Sequence, residues 1–304
     1  MALGAVLFVG LACGRDDGNR AIPHEEAVHR LNGADLFVRV IGSGEPIVVL
    51  HGGPGLDQSY FLPQMEGLAE NHTLIFYDQR ASGRSGSDLD STDITLDLFI
   101  RDIDAVRAHY GLERMNLMGH SWGGFLAMLY AIQHPDRLNS LILVSPSPAS
   151  SAMRNEESQM LASRLTKEDQ AERDSIIQST GFQNGDPAAY EGFFRVFFRS
   201  EFFNPERIDE LTLVLPENFI TNSRLLQYLA RDLAVYDIHA ALESVEAPAL
   251  VVNGESESGL GSGRRISEHL PSAQHVVLEE CGHFPFVEKP AAFFEAVNEF
   301  LASH

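Results

Sequence analysis

A short glycine-rich segment around Ser121 constrains the fold of this chain more than any other feature. Gly119-His120-Ser121-Trp122-Gly123 matches G-x-S-x-G and lies between two mostly apolar stretches, 115–118 and 123–133. The shorter stretch is typical of a strand buried on both faces, and the longer one, apolar all round, predicts a buried helix. The segment is therefore predicted to be a sharp strand-to-helix turn. Its glycines would avoid collisions, and its serine hydroxyl would stand clear of the backbone.

Apolar runs alternate with helical patterns along most of the chain. A helix is predicted over 94–110, capped by Thr92 or Asp93, and Asn32-Gly33 is a hairpin turn signal between the first two strands. Strands that alternate with helices predict an α/β fold with a parallel sheet and right-handed crossovers. The predicted strands are 28–30, 36–41, 47–50, 74–77, 115–118, 141–144, 249–252 and 276–278.

The alternation stops near residue 150, and the chain up to residue 242 is typical of polar amphipathic helices with pairs of phenylalanines. We therefore predict a helical cap, 149–242, inserted between two strands of a core that comprises 28–148 and 243–304. Residues 1–27 are predicted to be a signal-like segment and a polar linker. A helical insertion over the strand ends would form a lid above any site that the loops create.

The chain of 304 residues has 22 basic and 43 acidic side chains, a net charge of −21. This charge repels phosphate backbones, so we expect no nucleic acid partner. We also expect no nucleotide cofactor, because no G-x-x-x-x-G-K-[ST] and no suitably placed G-x-G-x-x-G occurs. The segment His24 to His29 resembles the H-E-x-x-H zinc motif, but its histidines are five apart and would not share a helix face. No metal is therefore expected.

Three further segments supply candidate partners for Ser121. His51-Gly52-Gly53-Pro54-Gly55 follows a predicted strand, and the N–H groups of Gly53 and Trp122 could bind a developing oxyanion. His283 follows the last predicted strand and is the candidate base for the serine proton. Asn253-Gly254-Glu255-Ser256-Glu257 follows the strand before it and offers two carboxylates that could orient the histidine. The order serine, acid, histidine is the one associated with such turns.

The segment His51 to Gly55, with Asp78-Gln79-Arg80, Gly119 to Gly124 and Gly282-His283, resembles the proline iminopeptidase branch of the α/β-hydrolases over about residues 28–300. The resemblance implies the α/β-hydrolase fold, with an eight-stranded, mostly parallel sheet flanked by helices and a helical cap inserted between two strands. The branch usually has glycine where this chain has Ala81.

The same resemblance implies roles for particular acids. The triad acid of the branch, usually aspartate, falls three residues after Gly254, at Glu257. Acids of the cap hold the free amino terminus of the substrate in such enzymes. Glu191 and Glu201 are the candidates here, because they flank the Phe-rich segment.

These residues predict a cofactor-independent acyl hydrolase with Ser121 as nucleophile, His283 as base and Glu257 as orienting acid. The resemblance implies an aminopeptidase or amidase for a short peptide or other small molecule with a free N-terminal residue such as proline. A carboxylic ester or lactone hydrolase is the alternative. A catalytically silent receptor or scaffold is less favoured, because such proteins usually lack a triad member and this chain has candidates for all three.

The first twelve residues are almost wholly apolar. Cys13 follows them, and the residues after Cys13 are polar. The run is too short to span a bilayer, but it resembles a secretory signal. Leu11-Ala12-Cys13 resembles the end of a bacterial lipoprotein signal, whose cysteine is lipidated after cleavage. We expect an exported protein, periplasmic or anchored to a membrane as a lipoprotein. The alternative is a cytoplasmic protein whose apolar extension has no targeting role.

If Cys13 is lipidated, protein made in its own host will begin at a diacylated Cys13. Mass spectrometry of the intact protein from the membrane fraction checks this. A Cys13→Ala variant is the control, because it should lack the lipid mass and stay unprocessed. Cytosolic protein that retains Met1 and carries no lipid would contradict the prediction.

Overall fold

A computed structural model describes residues 24–86 and 88–304 of the chain. Eight strands form one sheet. In chain order they are β1 (Glu25–Leu31), β2 (Ala34–Gly42), β3 (Glu45–Leu50), β4 (His72–Tyr77), β5 (Met115–His120), β6 (Leu138–Val144), β7 (Ala249–Gly254) and β8 (Ala273–Leu278). Their order across the sheet is β1-β2-β4-β3-β5-β6-β7-β8. β2 pairs antiparallel with both neighbours, and the other neighbouring pairs are parallel.

The α-helices within these ranges are α1 (Leu96–His109), α2 (Trp122–Gln133), α3 (Ser151–Arg164), α4 (Lys167–Gln178), α5 (Thr180–Asn184), α6 (Pro187–Arg199), α7 (Phe219–Leu226), α8 (His239–Leu242), α9 (Leu260–His269), α10 (Pro285–Glu288) and α11 (Pro290–Ala302). None of them is both long and apolar enough to cross a lipid bilayer. Cys13, the predicted lipidation site, lies outside the described residues.

All the predicted strands are present, and local chemistry explains their ends. Asn32 and Gly33 have φ values of 46° and 77°, as a tight hairpin turn between β1 and β2 requires. One helix start was wrong. The cap of α1 is Thr95, not Thr92 or Asp93, because Thr95 has extended backbone and its side chain accepts from the N–H of Leu98 at 3.2 Å.

The central strands carry apolar side chains on both faces, which explains their continuous apolar runs. On β3, Val48 and Leu50 belong to the apolar cluster that contains residues of α1 and α2. Ile47 and Val49 belong to the opposite cluster, which contains residues of α11. The sheet is therefore the middle layer between two layers of helices.

The segment between β6 and β7 contains α3 to α8; α3 to α7 form the cap, and α8 follows its end and packs against α2 and α9. The chain enters and leaves the cap at adjacent points, because Ser150 forms a bridge with Asp237 and the N–H of Ile238 donates to the carbonyl of Ala149 at 2.9 Å. The bridge joins the two ends of the insertion, and the cap is attached to the sheet between these two strands.

A buried ion pair fixes α1 against the segment that follows β4. The guanidinium of Arg80 donates from Nε to Asp102 at 2.7 Å and from a second nitrogen at 2.6 Å, and both side chains are about 1% exposed. Arg80 also donates to the carbonyl of Asp93 at 2.9 Å. With both charges out of water, removing one of them leaves the other without compensation.

We therefore expect Asp102→Asn to lower the free energy of unfolding by about 3–5 kcal/mol, because Arg80 would remain charged and buried. Denaturant unfolding followed by circular dichroism measures the change. Asp97→Asn on the same helix is the matched control, since its pair with Arg101 is largely exposed. It should cost no more than about 1 kcal/mol. Equal losses in the two variants would contradict the interpretation.

Candidate active site

Ser121 lies in the turn between β5 and α2, at the amino end of the helix. Its φ of 53° and ψ of −117° define a backbone conformation that residues with a side chain rarely adopt. The two glycine positions of the turn have no room for a side chain. A Cβ on Gly119 would lie 2.3 Å from the carbonyl oxygen of Gly123, and a Cβ on Gly123 would lie 2.3 Å from that of Leu50. Glycine is therefore needed at both positions, as the motif predicts.

Two backbone N–H groups, those of Gly53 and Trp122, are the predicted oxyanion donors. Gly53 has a φ of 49° and lines the same cavity as Ser121. Trp122 is the first residue of α2, where the helix dipole concentrates partial positive charge. Neither N–H donates a hydrogen bond to any group in the part of the chain that the structure describes. Both donors are thus available to a ligand.

His283 lies between β8 and α10 and lines the cavity together with Ser121. Its backbone N–H donates to the carbonyl of Glu201 at 2.8 Å, and its Nδ1 lies 3.0 Å from Oε2 of Glu257. Since a carboxylate accepts, Nδ1 carries the proton and Nε2 can act as the base. Across residues 24–86 and 88–304, no hydrogen bond joins this ring to the Ser121 hydroxyl. Such bonds often form only in the substrate complex.

The structure brings Glu257, and not Glu255, to the histidine. Glu257 is 3% exposed. Glu255 is exposed, and its carboxylate accepts from the N–H of Glu280 at 3.3 Å. Glu257 is therefore buried and paired with His283, whereas Glu255 faces solvent.

The carboxylates around His283 set its protonation. Burial lowers the pKa of the imidazole, but the hydrogen bond and charge of Glu257 outweigh it, with added contributions from Glu201 and Glu157. The net pKa of His283 lies above its ordinary value. A base acts in its unprotonated form, so activity should fall as the pH drops through this raised pKa.

His120 connects three segments of the site. The N–H of Gly52 donates to the Tyr60 hydroxyl at 2.5 Å, that hydroxyl donates to Nδ1 of His120 at 2.7 Å, and Nε2 of His120 donates to the carbonyl of His283 at 2.9 Å. Burial, and then the neighbouring His283, lower the pKa of His120, so the ring stays neutral. The motif alone gives His120 no role, because its x positions accept many residues.

The H-G-G-P-G and D-Q-R segments are joined through Gln79. The backbone N–H of Gln79 donates to Nε2 of His51 at 3.0 Å, and its side-chain amide donates to the His51 carbonyl at 2.8 Å. The indole N–H of Trp122 donates to Oε1 of Gln79 at 2.9 Å. Burial lowers the pKa of His51 to about 4, so its ring remains a neutral acceptor. Gln79 thus ties the glycine loop to the residue after Ser121.

Asn253, at the end of β7, orients the acid. Its side-chain N–H donates to Oε1 of Glu257, and its Oδ1 accepts from Nε2 of His275 at 2.9 Å. Asn253 is fully buried, and a Cβ on Gly263 would lie 1.9 Å from its Oδ1. The sequence signal for this role was weak: a polar residue that ends an apolar strand just before the acid loop.

A cavity of about 310 Å³ lies beneath the cap. Ser121 and His283 are on its wall, and the cap contributes apolar side chains: Leu161, Phe194, Phe197 and Phe198. The cap also contributes the carboxylates of Glu157 and Glu201. The phenylalanines of α6 thus pack within the cap and also roof the cavity.

The structure separates the two cap acids that the sequence analysis named. Glu191 does not line the cavity, and its carboxylate accepts from the N–H of Leu215 at 2.7 Å. Glu201 lines the cavity but is already engaged. It accepts from the N–H and hydroxyl of Ser258, at 3.2 and 2.5 Å, and lies 3.6 Å from Arg164. The substrate-binding role expected of Glu191 therefore has no geometric support.

Glu157 of α3 is a cavity acid that the sequence analysis missed. Its Oε1 is buried and has no hydrogen-bond partner among the described residues. Burial raises the pKa of Glu157 to about 7, against the lowering effects of the neighbouring Ser262 hydroxyl and of His283, and the charges of Glu257 and Glu201 act in the same direction as burial. Glu156-Glu157 in a polar helix is typical of a solvated surface, so the sequence carried no sign that one of the two is buried.

Comparison with known proteins agrees with this geometry. A family model described as the α/β hydrolase fold matches residues 45–290. A proline iminopeptidase of Lactobacillus delbrueckii subsp. lactis is 29% identical over 288 residues, which cover 88% of this chain and 94% of the relative. Another from Saccharolobus solfataricus is 24% identical, covering 91% and 92%.

Solved structures share the fold. The proline iminopeptidase of Mycobacterium smegmatis superposes with a TM-score of 0.66 at 24% identity, covering 94% of this chain and 98% of that one. The enol-lactonase of Burkholderia xenovorans LB400 gives a TM-score of 0.62 at 19% identity, covering 91% and 100%. The chain therefore belongs to the α/β-hydrolase fold family. It is a hydrolase, and the predicted resemblance to the proline iminopeptidase branch is confirmed.

The pairing at His283 predicts different effects for the two acids of its loop. Glu257→Gln should lower kcat by roughly two to four orders of magnitude with little change in KM, because the imidazolium would lose its partner. It should also lower the pKa of His283 and move the acid limb of the pH profile to lower pH. Steady-state kinetics on an activated ester across pH measure both effects.

Glu255→Gln on the same loop is the matched control and should leave kcat within about twofold, since its carboxylate is exposed. Asn253→Leu should fall between the two variants, because it leaves the ion pair but removes the donor that orients Glu257. A larger loss for Glu255→Gln than for Glu257→Gln would overturn the assignment.

Proposed function

We propose that this protein is a serine hydrolase that releases an N-terminal residue such as proline from short peptides or amides. The observation that carries the proposal is the buried, unpartnered Oε1 of Glu157 in the same cavity as Ser121 and His283. The names of its relatives, proline iminopeptidases, support the same reaction class.

The proposed chemistry follows from the geometry. Ser121 Oγ attacks the substrate carbonyl while Nε2 of His283 takes the hydroxyl proton, and Glu257 stabilises the imidazolium. The N–H groups of Gly53 and Trp122 donate to the oxyanion of the tetrahedral intermediate. The imidazolium then gives its proton to the leaving amine as the C–N bond breaks. Water, activated by the same histidine, hydrolyses the acyl-enzyme and restores Ser121.

Glu157 is the group best suited to hold the substrate's ammonium. An ionised acid with one oxygen that has no hydrogen-bond partner gains a strong, charge-assisted contact when that oxygen meets an ammonium group. Glu201 already accepts from Ser258 and lies near Arg164, so it has less capacity for a second cation. Its backbone carbonyl also holds His283, which gives it a structural role for every substrate. The apolar side chains of the cap would surround the ring of an N-terminal proline.

The pH dependence of the rate on two substrates can separate ammonium binding by Glu157 from proton transfer by His283. Burial raises the pKa of Glu157 to about 7, so the carboxylate loses its charge as the pH falls below that value. The ratio of kcat/KM for prolyl β-naphthylamide to kcat/KM for a neutral short-chain ester cancels the titration of His283. This ratio should fall about tenfold per pH unit below pH 7. Glu157→Gln should flatten the ratio, whereas Glu201→Gln should leave its pH dependence in place, because the Glu201 carboxylate is already bonded to Ser258.

N-acetylation of the prolyl substrate provides a control, because it removes the ammonium and should lower kcat/KM at least about 100-fold. Equal rates on blocked and free substrates would favour the ester or lactone hydrolase instead. The other alternative, a catalytically silent scaffold, predicts no covalent labelling by an organophosphonate. We expect labelling of Ser121 in the native protein and none in Ser121→Ala.

A further inference from the structure

We propose that Glu25, His29 and His109 form a binding site for a divalent transition metal, Zn²⁺ in the first instance. One ligand atom from each of these side chains lies within 4.8 Å of the other two. Oε2 of Glu25 is 3.4 Å from Nε2 of His29, and the two imidazole rings are 4.2 Å apart between centroids. The three side chains thus surround one small volume.

The fold brings these residues together from distant parts of the chain. Alternate residues of β1 are the less exposed ones, so Glu25, Ala27 and His29 share the face that packs toward α1. His109 is the last residue of α1. The helix closes the cluster from the other side.

One buried nitrogen of this cluster has no hydrogen-bond partner among the described residues. Nε2 of His29 is buried and has no hydrogen-bond partner within the described ranges, since its contact with Glu25 lacks hydrogen-bond geometry. The other carboxylate oxygen of Glu25 accepts from the hydroxyl of Tyr110. Such a bond, made by a ligand to a neighbouring group, is the usual way in which a metal ligand is oriented.

The donor set selects the kind of metal. Two imidazole nitrogens and one carboxylate oxygen suit Zn²⁺, which takes histidine and carboxylate ligands, whereas Mg²⁺ and Ca²⁺ prefer oxygen alone. His109 is exposed, so a fourth position would be open to water. This proposal departs from the sequence-based expectation of no metal. The segment His24 to His29 fails as a helical motif because the chain from Glu25 onward forms β1, and the second histidine of the site is His109.

The location points to a structural role. β1 is an edge strand, and three strands separate it from β5, which carries the Ser121 turn. At about 4.8 Å per strand, the site lies roughly 19 Å from that turn. A metal held by β1 and α1 would cross-link the edge strand to the helix. It should therefore raise thermal stability without changing the rate of hydrolysis.

The test uses the full chain without a histidine tag, titrated with Zn²⁺ against a chromogenic chelator, with thermal unfolding followed in parallel. We expect one zinc per chain and a rise in Tm of a few degrees. His29→Gln and His109→Gln should each weaken binding at least about tenfold and abolish the Tm shift. Tyr110→Phe, which removes the donor to Glu25, should weaken binding about tenfold. Activity on an ester should be unchanged in all three variants.

His269→Gln is the matched control. His269 also contacts a histidine, His239, at 5.1 Å between ring centroids, and also pairs with a carboxylate, Glu243. That variant should bind zinc as the native protein does. His109 is exposed, so His109→Gln keeps the test valid even if His29→Gln does not fold. Absence of a one-to-one zinc complex, or a complex that survives both His29→Gln and His109→Gln, would overturn the proposal.

Discussion

At the turn between β5 and α2, two stretches of backbone approach so closely that no side chain fits between them. Gly123 contacts the carbonyl of Leu50, and Gly119 in turn contacts Gly123. The strained backbone of Ser121 costs on the order of 1–3 kcal/mol, and it persists because the buried strand and helix on either side fix it. This approach also places the loop after β3 against the serine, so one packing contact sets the positions of the proposed nucleophile and the proposed oxyanion donors.

A connected set of buried polar groups holds the other segments of the candidate site. His120 bonds to Tyr60 and to the backbone of His283, and Gln79 links His51 to Trp122. Each of these groups has its donors and acceptors matched, which a buried network needs if it is to stabilise the fold. The imidazoles of His51 and His120 remain neutral because burial lowers the pKa of each. The network therefore holds the backbone of His283 in place, and its own imidazoles add no positive charge beside that residue.

Negative charge in the cavity has two opposing consequences. Glu157 and Glu201 both raise the pKa of His283, which keeps a larger fraction of the base protonated at a given pH. In the proposed function the same charge attracts the ammonium of the substrate, whose arrival would offset that effect. Burial raises the pKa of Glu157 itself, so its charge is present only above about pH 7. In the proposed function, recognition of the ammonium and the protonation of His283 thus depend on the same carboxylates.

The sequence by itself determined the sheet, the serine turn and the loops that carry His283 and Glu257. Apolar runs, glycine spacing and position at a strand end are local signals, and the parallel sheet brings those strand ends together. Only the tertiary structure decided which acid of the cap faces the cavity, because the burial of Glu157 depends on how a polar helix packs over the sheet. Only the tertiary structure likewise brings His29 of β1 and His109 of α1 together, because they lie on different elements. A helix or strand pattern specifies the buried face of an element, but the partner of that face is fixed only when distant segments pack together.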